Sequence, residues 1–133
     1  MLTAQVLSQA AAVEKEMYRA LTELEELTQE LEQAVSRGDK VSVQMFLSMR
    51  RDSLNQMARH QASLHRQYTT LPAADARMLR SLLEDPSPPA CTGSEDLVRQ
   101  AERNRTILQR IVRTDRKISQ RLAGNASFYT KHP

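Results

Sequence analysis

Tryptophan is missing from this sequence, and aromatic residues of any kind are scarce: two phenylalanines and three tyrosines in 133 residues. Aromatics are the largest contributors to most cores, so any core here must be aliphatic. Only three glycines are present, and none forms a phosphate-cradling Gly-rich loop. A single cysteine, Cys91, cannot form a disulfide within the sequence, which favours a reducing compartment. No apolar run approaches the roughly 20 residues of a membrane span. The N-terminal stretch carries no Lys or Arg before Lys15, and Gln and Ser interrupt its apolar residues, so it makes a poor secretory signal. A cytoplasmic protein is the expectation.

What is abundant is helix former. The hydrophobic fraction of 40% comes mostly from Ala, Leu, Val and Met, and 26% of residues are charged, a composition of long helices. Val6, Ala10, Val13, Met17, Leu21, Leu24, Leu27, Leu31 and Val35 recur at steps of three or four. That spacing predicts a helix over about 3–37 with one apolar face. Gly38 suits a left-handed helix terminus and Asp39 an N-cap. A second helix follows over about 40–70, its seam reading Val43, Leu47, Arg50, Leu54, Met57, Gln61, Leu64 and Tyr68. Pro72 interrupts it, a short extension spans 73–84, and "DPSPPACTGS" is a loop. Ser94 caps a third long helix over about 95–123, which Gly124-Asn125 is expected to end. The fold expected is all-α: an elongated antiparallel bundle of three long helices over 1–124, with a flexible aromatic-containing tail over 125–133.

Charge is unevenly distributed. Residues 1–37 hold three basic and seven acidic side chains, whereas residues 94–133 hold nine basic and four acidic ones. Antiparallel neighbours from the two ends would attract. Arg99, Arg103, Arg110, Arg113, Arg116 and Lys117 share the outer side of the last helix, a footprint compatible with nucleic acid. No aromatics interleave them, and a salt-bridged or solvated face is the favoured reading. No catalytic constellation emerges: His60 and His65 are five apart and fall on different faces, and Cys91 has no basic partner in sequence. Neither enzyme, metal site nor cofactor is expected.

The last helix carries the informative positions. Leu97, Ala101, Asn104, Leu108, Ile111, Asp115, Ile118 and Leu122 form its stripe, with Val98, Ile107 and Val112 widening it. Asn104 and Asp115 break the apolar seam, fixing register at a cost in stability, facing solvent, or meeting a partner's polar groups. A rod of helices roughly 50 Å long has a thin core, and some apolar stripe is left over for another amphipathic helix or for self-association. Phe128 and Tyr129, two of the five aromatics, lie beyond the bundle and either dock elsewhere or fold back to cap it.

Three features together resemble the flagellar export chaperones of the FlgN type. One is the leucine-rich first helix running into "AVSRGDKVSVQMFLSMRRDSLNQM", with its Gly-Asp turn and the pair Arg50-Arg51. The others are "ERNRTILQRIV" and the terminal "SFYTKHP". The resemblance implies a cytoplasmic, non-enzymatic chaperone, monomeric or weakly dimeric, with no cofactor and no small-molecule substrate. Such a protein binds the C-terminal helical region of hook-associated (hook–filament junction) proteins and prevents their premature assembly. It then delivers them to a flagellar export gate component. Cargo would lie on the stripe Leu97 to Leu122. Tyr129 matches the family's gate-docking tyrosine, with Phe128 beside it; Thr130 follows where family members often have glycine. The competing expectation is a coiled-coil scaffold that self-associates into a stable oligomer.

Overall fold

The computed structural model describes residues 2–84 and 93–131, the side chains after residue 124 excepted. Cys91 and most of the proline-rich loop lie outside the described residues, as do the side chains of Phe128 and Tyr129. The chain folds as four helices: α1 (Ala4–Arg37), α2 (Lys40–Thr69), α3 (Ala73–Glu84) and α4 (Glu95–Lys131). No strand occurs among the described residues.

The turns follow the local chemistry of the sequence. Thr3 caps α1 by accepting from the Val6 amide at 3.2 Å. At its other end Gly38 takes φ 68°, a left-handed conformation that costs glycine little. Asp39 then caps α2, its carboxylate accepting from the Ser42 amide at 3.1 Å. The Ser42 hydroxyl, donating to Oδ2 at 2.6 Å, and after it the Ser42 amide hold the Asp39 carboxyl below its usual pKa. Pro72 sits just ahead of α3, where its missing N–H is harmless, and its carbonyl accepts from Ala76 at 2.9 Å. Gly93, at φ 81°, precedes α4.

α1 is the axis of the bundle, with α2 along one side and α4 along the other; α2 and α4 hardly touch. Its buried surface is accordingly wider than a single stripe. Leu21, Leu24 and Leu31 are each 1% exposed, and Ala10, Ala20 and Ala34 fill the close approaches. Each such leucine contributes about 1.5–3 kcal/mol by burial. α3 closes one end, with Leu79, Leu82 and Leu83 joining the core of α1, Met57, Leu64, Leu97 and Ala101. A smaller cluster of Leu31, Val35 and Ile118, backed by Val43 and Phe46, lies near the α1–α2 turn.

α1 and α4 run parallel, as the first and third long helices of an antiparallel bundle do. Lys15 meets Asp96, Glu14 meets Asn104, Glu25 meets Arg110, and Leu31 and Val35 meet Ile118. α2 runs antiparallel to both and brings the chain back to the end where α1 began, where α3 packs and α4 sets out. One expectation is corrected: α4 does not stop at Gly124. It continues helically to Lys131, because Gly124 keeps negative φ and no proline intervenes before Pro133. Since Ile118 already meets Val35 near the end of α1, about ten residues of α4 extend past the turn, roughly 15 Å of helix.

Candidate functional site

The seam of α2 differs from the expected one in a way that creates a site. Its buried side is built from Phe46, Arg50, Ser53, Met57 and Leu64, with Ser53 fully buried against the bundle. Leu47 and Leu54, expected in the core, are 41% and 46% exposed, and Gln61 is exposed too. The seven-residue spacing was sound, but the helix is rotated so that Leu47 and Leu54 border the core rather than fill it. On a helical wheel Leu47, Arg50, Leu54 and Gln61 fall within about 60° of arc. On α4, Ala101, Leu108, Val112 and Asp115 also share about 60°. Arg50 and Asp115 bond to each other, Nη2 to Oδ2 at 3.0 Å, so these two arcs face one another across α1.

Between them lies an open groove of about 350 Å³. Met17 and Leu21 of α1 form its floor; Met57 and Leu64 of α2 and Ala101 and Leu108 of α4 form its walls. Tyr68, Leu83 and Glu84 close one end. The Arg50–Asp115 bridge crosses two helical turns beyond Met57 and Leu108, about 10 Å away. Apolar rims stand exposed on both sides: Leu47 and Leu54 on α2, Leu108 and Val112, each 40% exposed, on α4.

A polar cluster sits against the floor. Glu14 is only 6% exposed, and burial pushes its carboxyl above the usual carboxylate range. A hydrogen bond from Asn104 and the charge of Arg105 oppose that shift. Asn104 Nδ2 donates to Glu14 Oε2 at 2.6 Å and to the Glu14 carbonyl at 2.7 Å. Turning the amide over would set two acceptors against its oxygen, so the network fixes its orientation. Asn104 Oδ1 is then left buried without a partner. Arg105 Nη1 donates to the Leu83 carbonyl at 2.6 Å, tying α3 to α4. Tyr68, half-buried under Arg80 at 5.4 Å, has its phenol pushed up to about 12, by burial first and then by Glu84.

Of the eight stripe residues expected to receive cargo, five are taken up by the bundle itself. Leu97, Ala101, Asn104, Ile111 and Ile118 are 1–5% exposed. Leu108 and Leu122 remain exposed, and Asp115 is partly so. Asn104 and Asp115, the two breaks in the stripe, meet α1 and α2 respectively, one at Glu14 and the other at Arg50. The α2 rim was not recognised as surface in the sequence. The signal was there in the surplus of apolar positions on α2, which outnumber what one narrow contact with α1 can bury.

The arginine-rich side of α4 is partly spent on α1. Arg110 forms a two-pronged pair with Glu25 at 2.7 and 3.1 Å, and Arg103 lies 3.5 Å over the Tyr18 ring. Among the described residues no group of three or more His, Cys, Asp or Glu side chains converges as a metal site, and no helix is long and apolar enough to cross a membrane.

Fold and site together define an α-helical bundle with an open apolar groove between two helices that share a third. No protein-family profile, curated protein or solved structure matches the chain.

Proposed function

We propose that this protein is a cytoplasmic flagellar export chaperone that holds an amphipathic helix of its cargo in the α2/α4 groove. The observation that carries helix capture is an apolar-floored groove walled by Leu108, with exposed Leu54 and Val112, and Leu47 beyond the Arg50–Asp115 bridge, continuing the facing arcs of α2 and α4. An amphipathic helix laid there covers surface that water otherwise meets, the usual helix-in-groove mode. The likeness of the Gly-Asp turn, "ERNRTILQRIV" and "SFYTKHP" to the FlgN type supplies the cargo class: the C-terminal helical region of hook-associated junction proteins. Covering that region prevents premature assembly by competition. Tyr129, with Phe128 beside it, serves as the contact to the export gate, carried on the part of α4 that outruns α1.

Copurification from the native host at modest salt tests this, with Leu54→Glu and Tyr129→Ala in parallel. Junction proteins should accompany the wild type and Tyr129→Ala, and be lost with Leu54→Glu. Gate components should be lost with Tyr129→Ala. Recovery of the chain alone, as a stable oligomer, would sink the reading in favour of a second one. That second reading, a self-associating coiled-coil scaffold, is favoured by Val41, Met45 and Met49. They are 82%, 50% and 44% exposed and line one outer side of α2 at steps of four.

A further inference from the structure

We propose that the α2/α4 groove selects an amphipathic helix with acidic residues on both flanks of its apolar stripe, and that Arg51 and Arg116 receive those acids. This rests on the helix-capture reading and adds the chemistry of the partner.

Charge around the groove carries the argument. The acids that line it or cross it are already engaged: Asp115 by Arg50, Glu84 by Arg80 at 3.9 Å, and buried Glu14 by Asn104. The outer edges are different. Continuing outward from Leu47 on the wheel of α2, the charged side chains met are Lys40, at the start of the helix, and then Arg51; outward from Val112 on α4 come Arg105 and Arg116. Arg105 is turned to the Leu83 carbonyl. Arg51 and Arg116 are exposed, and neither makes an ion pair among the described residues. Because Arg50 meets Asp115, their sequence neighbours Arg51 and Arg116 stand at one level, on opposite edges of the groove. A helix docked with its stripe between Leu54 and Leu108 therefore presents each flank to an arginine. The same logic sets partner choice at the flanking positions of coiled coils. A helix with basic flanks would meet like charge on both edges.

Three synthetic 18-residue helical peptides with one shared leucine stripe test this, their flanks all Glu, all Gln or all Lys. Binding is read by fluorescence anisotropy against the full chain, the Arg51→Glu/Arg116→Glu double variant and Leu54→Glu. At low salt the Glu-flanked peptide should bind about three- to five-fold more tightly than the Gln-flanked one, and the Lys-flanked peptide most weakly. The advantage should shrink as salt screens exposed charge, and the double variant should reverse the order. Both arginines are exposed, so circular dichroism should show that variant folded like the wild type. Equal affinity for all three peptides, lost in Leu54→Glu, would overturn the charge selection and leave helix capture standing. A Glu preference that survives the double variant would overturn the assignment to Arg51 and Arg116. If none of the peptides binds, helix capture itself falls, and this inference with it.

Discussion

Replacing Asn104 by leucine isolates what the buried polar cluster does. The side chain is nearly isosteric and sits 4% exposed, so little cavity or clash is expected. What disappears is the donor to Glu14 Oε2. A buried acceptor left unpaired costs about 1–3 kcal/mol, more when charged. Glu14 has an alternative, which is to keep its proton. Its carboxyl already titrates above the usual range because burial outweighs the help of Asn104 and Arg105. A carboxyl with a folded pKa above its unfolded value holds its proton more tightly in the folded state. Its stabilising contribution is fully present below the unfolded pKa, near 4.3, and is lost as pH rises through the folded value. Removing Asn104 takes away a lowering influence, so the folded pKa climbs further and the loss on the alkaline side deepens. We expect Asn104→Leu to cost about 1 kcal/mol at pH 4 and about 2–3 kcal/mol at pH 8. Urea unfolding followed at 222 nm at both pH values measures the difference. Glu14→Gln should flatten the pH dependence in either background, since an amide oxygen still accepts from Asn104 without a charge to bury. If Asn104→Leu costs the same at pH 4 and pH 8, or if Glu14→Gln is the more damaging change at pH 8, Glu14 is not held as described.

Three further predictions concern separate parts of the bundle. The Arg50–Asp115 bridge joins a guanidinium 13% exposed to a carboxylate 39% exposed; Asp115→Ala, which strands the more buried charge, should cost more than Arg50→Met, and a double-mutant cycle should return a coupling of about 0.5–1.5 kcal/mol. Gly124→Ala should stabilise the chain by about 0.5–1 kcal/mol, since a Cβ there meets nothing within 4 Å on helical backbone, whereas Gly38→Ala at φ 68° should destabilise it by about 1 kcal/mol; thermal melts of the two variants should move in opposite directions. In a phenolate titration followed by ultraviolet absorbance, one tyrosine should ionise only near pH 12, and Tyr68→Phe should remove that late component while far-UV circular dichroism shows the chain still folded.

The sequence made local structure readable where a single residue decides it. Gly38 and Asp39 announced their turn because a left-handed glycine and a capping carboxylate act within four residues of chain. Asn104 and Asp115 were visible as interruptions, yet their partners were not: Glu14 is 90 residues away and Arg50 is 65, and periodicity carries no information about which stripe meets which. Charge balance says that α1 and α4 attract but not which way they run; the turn at Gly38-Asp39 sends α2 back to the start of α1, and α4 sets out from that end alongside it. Gly124 misled because glycine permits a left-handed terminus without requiring one. On α2, a seven-residue repeat of leucines describes a core stripe and a groove rim equally well, and only the rotation of the helix against α1 separates them.

Because α1 is packed on both sides while α2 and α4 hardly touch beyond the Arg50–Asp115 bridge, the two walls of the groove are tied mainly to a common spine. A substitution at Leu54 or Arg51 therefore needs no matching change at Leu108 or Arg116 to keep the bundle intact, and the reverse holds as well. Residues such as Leu24 and Ala34, enclosed by the bundle, have no such latitude. Over evolutionary time this architecture permits one wall to drift toward a new partner while the other still grips the old one, so that descendants of such a chain are expected to diverge most along the two rims and least along α1.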